Sequence, residues 1–313
     1  MPSSAASPEG GLPPLVVICG ATATGKTHLS LELAERLPRA EVISADSRQV
    51  YRGMDIGTAK VSAADRARVP HHGLDLVNPD EPFSAERYRR HALAALRGIA
   101  AHDGVAILVG GTGLYLRAVA HGLPLEETGS DPAIRAGLEG RLAGEGLHVL
   151  VAQLRAAAPR TAAATDLSNP RRVVRALERV KVSGDRPPPA PTGYAAPALW
   201  LGLNLDRDEH DRRIAHRAHW QFANGLLEEA AQLRRRYNPD LRAFSAFGYR
   251  EAFAVLEGSL SRDEAVQRAI VRTRQFARRQ QTWFRAEPDV TWLDASTGSL
   301  ARSLALVELM LAP

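Results

Sequence analysis

Gly20-Ala21-Thr22-Ala23-Thr24-Gly25-Lys26-Thr27 follows the spacing G-x-x-x-x-G-K-[ST] in full, directly after an apolar run and at the opening of a helical pattern. The glycines let the backbone turn tightly, so that successive amide N–H groups point inward onto phosphate oxygens at the positive end of a helix. Lys26 adds a mobile charge for the outer phosphate, and the Thr27 hydroxyl can ligate Mg. The loop therefore points to a di- or triphosphate and is silent about what carries it. A kinase, a GTPase and a transferase that expels diphosphate all satisfy it.

A second reactive group, Asp46, follows the apolar run Glu41–Ser44. Ligands of open α/β sheets bind at the carboxyl edge of the strands, so Asp46 is expected to face the phosphate loop. There it could hold a Mg ion through a water or act as a general base. An aspartate at this place also suits a turn or a helix cap. Lys60, taken by itself, reads as a solvated surface lysine.

The elements that must position these groups alternate between strand and helix patterns, which predicts a parallel α/β sheet. Strands are expected at Leu15–Cys19, Glu41–Ser44, Gly73–Val77, Val105–Val109, Leu199–Leu205 and Val290–Leu293. Helices are expected from Lys26 to about Leu37 and over Phe83–Ala101, the latter capped by Ser84 with Phe83 outside it. From Leu123 to Pro197 no strand pattern occurs, and the composition shifts to Ala, Arg, Gly and Glu. This predicts a helical insertion at 123–197 between two parts of the core, 15–122 and 198–313. Residues 1–14 hold Ser, Pro, Gly and Glu without a basic or apolar targeting region, and read as a floppy leader on a cytosolic protein.

The 313 residues carry 40 Lys or Arg against 35 Asp or Glu, a net +5, and only Lys26, Lys60 and Lys181 are lysines. Arginine is always charged and forks onto phosphate oxygens, which leaves nucleic acid or a phosphorylated substrate open as partners. The single Cys19 excludes an internal disulfide or a thiolate zinc site and reads as a buried small hydrophobe. No apolar run approaches the roughly 18 residues of a membrane span. His71-His72, without cysteines or an acid at metal spacing, reads as structural.

Basic charge is concentrated in two places. Val266–Arg285 holds six arginines and no acid. On one helix Arg268, Arg272, Arg274, Arg278, Arg279 and Arg285 fall within an arc of about 160°, opposite Ala269, Ile270, Phe276, Ala277, Trp283 and Phe284. Six like charges repel one another, so an anionic partner is the simpler account of that face. Arg171, Arg172 and Arg175 form the second cluster.

The phosphate loop, Asp46–Lys60, Gly110-Gly111-Thr112-Gly113-Leu114-Tyr115 and Thr273–Arg285 occur in an order that resembles the bacterial tRNA dimethylallyltransferase (tRNA isopentenyltransferase) family. The likeness extends from about Leu15 to Leu293. Its most specific parts are Asp-Ser-x-x-x-Tyr-x-x-Met-Asp-Ile-Gly-Thr-Ala-Lys and Thr-Arg-Gln-x-Ala-x-Arg-Gln-x-Thr-Trp. Val61 stands where the family usually has Pro, and Arg278 where it often has Lys.

The resemblance implies a P-loop NTPase-like α/β core, a parallel sheet flanked by helices, with a mainly helical insertion that contacts tRNA. It implies transfer of a dimethylallyl group from its diphosphate to N6 of the adenosine at tRNA position 37. Gly20, Ala21, Thr22, Ala23, Thr24, Gly25, Lys26 and Thr27 would cradle the diphosphate with Arg213 and Arg217, and Thr27 would hold Mg. Asp46 would be the general base, because an adenine N6 lone pair is delocalised into the ring and needs its proton taken as the C–N bond forms. Ser47, Arg48, Gln49 and Thr112 would face the tRNA, together with Arg171, Arg172, Arg175, Phe247, Gly248, Tyr249, Arg250, Arg274 and Arg278. Phe247 or Tyr249 could stack on a base drawn out of the anticodon loop. The rival readings are an adenine-nucleotide prenyltransferase, a P-loop small-molecule kinase and an RNA-binding protein that uses the loop as an anion site. Nothing in the sequence requires more than a monomer.

Overall fold

A computed structural model describes residues 11–125, 131–187 and 189–312. The chain divides into two units, one running to Gly122 and resuming at Gly193, the other spanning Leu123–Thr192. In the first, β1 (Leu15–Gly20), β2 (Glu41–Ser44), β3 (His71–His72), β4 (Ala106–Val109), β5 (Ala198–Asn204) and β6 (Val290–Asp294) make one sheet. Its order is β3-β2-β4-β1-β5-β6, and every pairing is parallel. β1 lies in the middle and is buried at every position, which is why its sequence is continuously apolar rather than alternating.

Helices cover both faces. Val16 and Ile18 of β1, with Val42, Ile107, Val109, Leu201 and Leu203, pack on α1 (Lys26–Ala34) and the C-terminal Ser299–Leu311 helix. Leu15, Val17 and Cys19, with Ile43, Ala106 and Leu108, face the other way. They pack under α2 (Ala85–Ala100), α3 (Gly113–Ala120), α4 (Arg207–Ala223), α5 (Leu226–Arg236), α6 (Tyr249–Leu256) and α7 (Arg262–Arg285). The phosphate loop joins β1 to α1, so this unit is a P-loop α/β core. Cys19 is the buried hydrophobe expected of it, with its thiol pushed up to about 12 by desolvation. Ser84 caps α2 by accepting from the Arg87 amide at 3.1 Å. Among the described residues no helix is long and apolar enough to cross a membrane.

Three sequence expectations are corrected. The third strand is His71–His72, not Gly73–Val77: Gly73 turns with φ +80, and a Cβ there would stand 2.5 Å from the Ser44 carbonyl oxygen. Of the supposed leader, residues 1–10 lie outside the described residues. Leu12 packs on the core, and the Pro14 carbonyl accepts from the Ala106 amide at 3.0 Å, so the fold begins before Leu15. The chain rejoins the core at Gly193 rather than after Pro197: the Gly193 amide donates to His121 O at 3.0 Å and the Tyr194 hydroxyl to Pro13 O at 2.8 Å.

The second unit is helical, with segments Pro132–Glu145, Leu147–Ala157, Pro159–Ala163 and Pro170–Ser183 around Leu138, Leu150, Leu154, Val173, Val174 and Leu177. Asn169 caps the last of them, accepting from the Arg171 and Arg172 amides, with Pro170 at the first turn where its missing N–H costs nothing.

Candidate active site

The carboxyl ends of β1, β2 and β4 bring three loops side by side. The Ala45 amide donates to Val109 O at 2.7 Å, the Thr112 amide to Ala45 O at 3.2 Å and the Gly110 amide to Ile18 O at 3.1 Å. Gly110 has to be glycine here, because a Cβ would lie 2.1 Å from the Ala45 carbonyl oxygen. The loops open on a cavity of about 580 Å³ lined by Thr22, Ala23, Gly25, Lys26, Thr27, Asp46, Ser47, Arg48, Gln49, Thr112, Arg213, Arg217, Phe247 and Gln280.

Gly20, Ala21 and Thr24 do not line it. They hold the turn from below: Gly20 packs against the Leu203 backbone, and the Thr24 hydroxyl donates to Ala21 O at 2.9 Å. Lys26 Nζ donates to the same Ala21 carbonyl at 2.6 Å, so the ammonium folds back over the loop. Desolvation there, followed by the charge of Arg217, pushes Lys26 down to about 8. Arg217 donates to the Thr22 hydroxyl at 2.8 Å. Arg213 is tethered by Glu209 at 2.7 Å and comes within 3.7 Å of where a Gly25 Cβ would be.

Asp46 combines two of its sequence readings. Oδ1 accepts from the Arg48 amide at 2.7 Å, a turn held by the side chain, while the residue lines the cavity wall next to Lys26 and Thr27. Beside it the Thr112 hydroxyl accepts from the Ser47 amide at 3.0 Å, and Gln49 bridges Ser44 Oγ to the Thr58 carbonyl. Arg48 reaches across to the Arg242 carbonyl at 2.8 Å.

Lys60 is the opposite of a solvated lysine. Its side chain is 1% exposed, and Nζ donates to Tyr51 O at 2.6 Å, Asp55 Oδ1 at 2.8 Å and Asp75 Oδ1 at 2.6 Å. Glu229 secures the same segment: its carboxylate accepts from the amides of Asp55, Ile56 and Gly57 and from the Tyr249 hydroxyl at 2.7 Å. No local pattern marks Glu229, since its partners lie more than 170 positions earlier in the chain or on the next helix. His210 grips the phosphate loop from a similar distance along the chain, and so does Gln280, whose motif marks the residue but not this role.

Two expectations about RNA-facing groups change. Tyr249 is fully buried, with its hydroxyl on Glu229 and its ring where a Gly57 Cβ would be, so it cannot stack on a base. Phe247 is half-exposed on the cavity wall, while Gly248 turns at φ +95 and Arg250 points outward. The α7 face is also less cationic than its sequence: Glu251 of α6 pairs with Arg272, and Asp211 of α4 with Arg274 at 3.3 Å. Arg274 and Arg278 line a different cavity from Asp46. In the second unit Arg171, Arg172 and Arg175 are exposed, with Arg172 near Asp166 at 3.4 Å and Arg175 on the buried Glu178 at 2.5 Å.

Known proteins share this architecture and sequence. The profile of the IPP transferase family matches residues 49–287. A tRNA dimethylallyltransferase of Roseiflexus sp. (strain RS-1) is 43% identical over 94% of this chain and 97% of its own length. One from Anaeromyxobacter sp. (strain K) is 45% identical over 89% and 92%. The solved full-length tRNA isopentenylpyrophosphate transferase of Bacillus halodurans superposes with TM-score 0.70 at 38% identity, covering 95% of each chain. A eukaryotic dimethylallyltransferase acting on tRNA shares the fold, with TM-score 0.79 at 24% identity over 95% of this chain and 79% of that one. The chain belongs to the IPP transferase family.

Proposed function

We propose that this chain transfers the dimethylallyl group of dimethylallyl diphosphate to N6 of adenosine 37 in tRNA, releasing diphosphate. The observation that carries the reading is that Asp46 shares one cavity wall with Lys26, Thr27, Arg213 and Arg217. A C–N bond forms as the allylic C–O bond breaks. The N6 proton passes to the Asp46 carboxylate, and the electron pair leaves with the diphosphate. The loop amides, Lys26 and the two arginines meet that charge where it develops, which is the form of electrostatic assistance that lowers such barriers most. Ser47, Arg48, Gln49, Thr112 and Phe247 border the acceptor side. Arg250 and Arg278 serve the RNA backbone, as do Arg171, Arg172 and Arg175 of the second unit, whereas Gly248 is buried at its turn and Arg274 is held by Asp211.

The donors fit Mg. The Thr27 hydroxyl lines the cavity and would hold Mg together with substrate phosphates and waters, which leaves the Asp46 carboxylate for the proton. When bound, Mg supplies further positive charge to the departing diphosphate. A tRNA acceptor supports the cytoplasmic reading, and the proposed step uses residues of one copy of the chain.

Names of the relatives favour tRNA over a free adenine nucleotide or a kinase substrate. Incubation with labelled dimethylallyl diphosphate, Mg and either tRNA bearing adenosine 37 or adenosine monophosphate tests the choice. Label is expected in tRNA alone. Label only in the mononucleotide, or phosphorylation from ATP without prenyl transfer, overturns it.

A further inference from the structure

Every polar atom of Thr22, near the start of the phosphate loop, is held by a side chain from another element. Its amide donates to Gln280 Oε1 at 2.9 Å, and its hydroxyl accepts from Arg217 at 2.8 Å. Its carbonyl oxygen lies 2.7 Å from Nε2 of His210, a ring 4% exposed near the start of α4. A carbonyl only accepts, so the ring carries a proton on Nε2 and donates it to Thr22 O. Nδ1 is left to accept, and Gln281 Nε2 stands 3.3 Å from it. Of two neighbouring glutamines on α7, one therefore grips Thr22 directly and the other through His210.

The contact fixes the peptide that follows. A peptide group is planar and trans, so its C=O and N–H point in opposite directions. Pinning Thr22 O on the ring turns the Ala23 N–H away from His210. Ala23 lines the Asp46 cavity, and its amide has no partner among the described residues. Ala23 also has φ +65, a left-handed conformation that only glycine adopts freely. Such a turn persists only where its surroundings hold it.

We propose that His210 is a positioning residue for diphosphate, with Gln281 seating its ring. Acting through Thr22 O, it aims the Ala23 amide at the phosphate oxygens. This rests on the function proposed above only in taking diphosphate as the ligand of the loop.

His210→Leu fills the space without an N–H, and His210→Gln restores one near the place of Nε2. Inorganic diphosphate with Mg is titrated calorimetrically into the full chain and into each variant, with a melting curve on all three. The Leu variant should bind about five- to tenfold more weakly, the size of one lost hydrogen bond, and the Gln variant within about twofold of the parent. Equal affinity in all three overturns the assignment. Equal weakening in the two variants also overturns it, since the ring would then be a packing group.

Gln281→Leu carries the test if His210→Leu does not fold. It should weaken binding about two- to threefold beside His210 and leave the His210→Gln chain unchanged, because it acts through the ring. The same loss in both backgrounds, or none in either, overturns the role of Gln281. The tRNA prenylation assay on the unaltered chain reports separately on the function reading: diphosphate binding that depends on His210, without label in tRNA, would sink that reading alone.

Discussion

Gln280 Oε1 accepts from the backbone amide of Thr22 at 2.9 Å, although 258 positions separate the two residues. The Gln280 Nε2 donates to Gly111 O at 2.8 Å, and a Cβ on Gly111 would collide with that nitrogen. One buried amide on α7 therefore fastens the phosphate loop to the loop that carries Thr112, whose hydroxyl holds the Ser47 amide beside Asp46. The phosphate loop and the Asp46 turn are thereby linked by side chains from outside both loops.

Gln280→Leu keeps the volume and removes both hydrogen bonds. Transfer should fall roughly 10- to 100-fold in kcat, in line with the cost of misplacing reacting groups by about an ångström, with a smaller rise in KM for dimethylallyl diphosphate. Steady-state kinetics decide. An unchanged kcat would mean the clamp is idle.

Asp46→Asn retains an oxygen to accept from Arg48 and so keeps the turn, but cannot take a proton. Transfer should drop by about 10²–10⁴, with tRNA affinity within a few fold of the parent. Filter binding and a single-turnover assay separate the two effects. A large loss of affinity would assign Asp46 to recognition instead.

In the proposed function Lys26 meets the diphosphate as an ammonium, and burial in the free loop pushes its pKa down to about 8. Since the ligand selects the protonated form, affinity should lose up to tenfold per pH unit above that value, until the raised pKa of the complex is passed. Lys26→Arg stays charged and should flatten the profile between pH 8 and 10, whatever its absolute affinity. Parallel profiles for both proteins would show that the slope arises elsewhere.

Lys60→Met leaves the Tyr51 carbonyl and the Asp55 and Asp75 carboxylates without their shared donor. A loss of roughly 1–2 kcal/mol in stability is expected, chiefly from the Tyr51 carbonyl left without its donor, because Asp55 is largely exposed and Asp75 keeps Arg66. Urea unfolding measures it. A midpoint equal to that of the parent would return Lys60 to the solvent.

Tyr249→Phe removes a hydrogen bond to Glu229 and should cost about 1 kcal/mol of stability while leaving RNA affinity alone. Phe247→Ala, on the cavity wall, should weaken RNA binding by about 1–3 kcal/mol if its ring stacks on a base. Reversed outcomes would exchange the roles of the two rings.

Local sequence determined the phosphate loop, because its tight turn needs glycines at set intervals and its chemistry needs a lysine and a hydroxyl next to each other. It determined the parallel sheet for a similar reason: strands buried on both faces read as unbroken apolar runs, as Leu15–Cys19 does. The third strand is not legible in the sequence because His71-His72 is short and polar, and pairing with β2 rather than any intrinsic preference makes it a strand. Tertiary structure alone decided which charges are free. Six acid-free arginines on one helix look like a single cationic face, yet acids from α4 and α6 quench two of them, and the rest divide between cavity and surface. It also decided what Lys60, Glu229, Tyr249 and Gln280 are for. Each meets partners brought near by folding, and a hydrogen bond between groups far apart in the chain leaves no periodic trace in either segment.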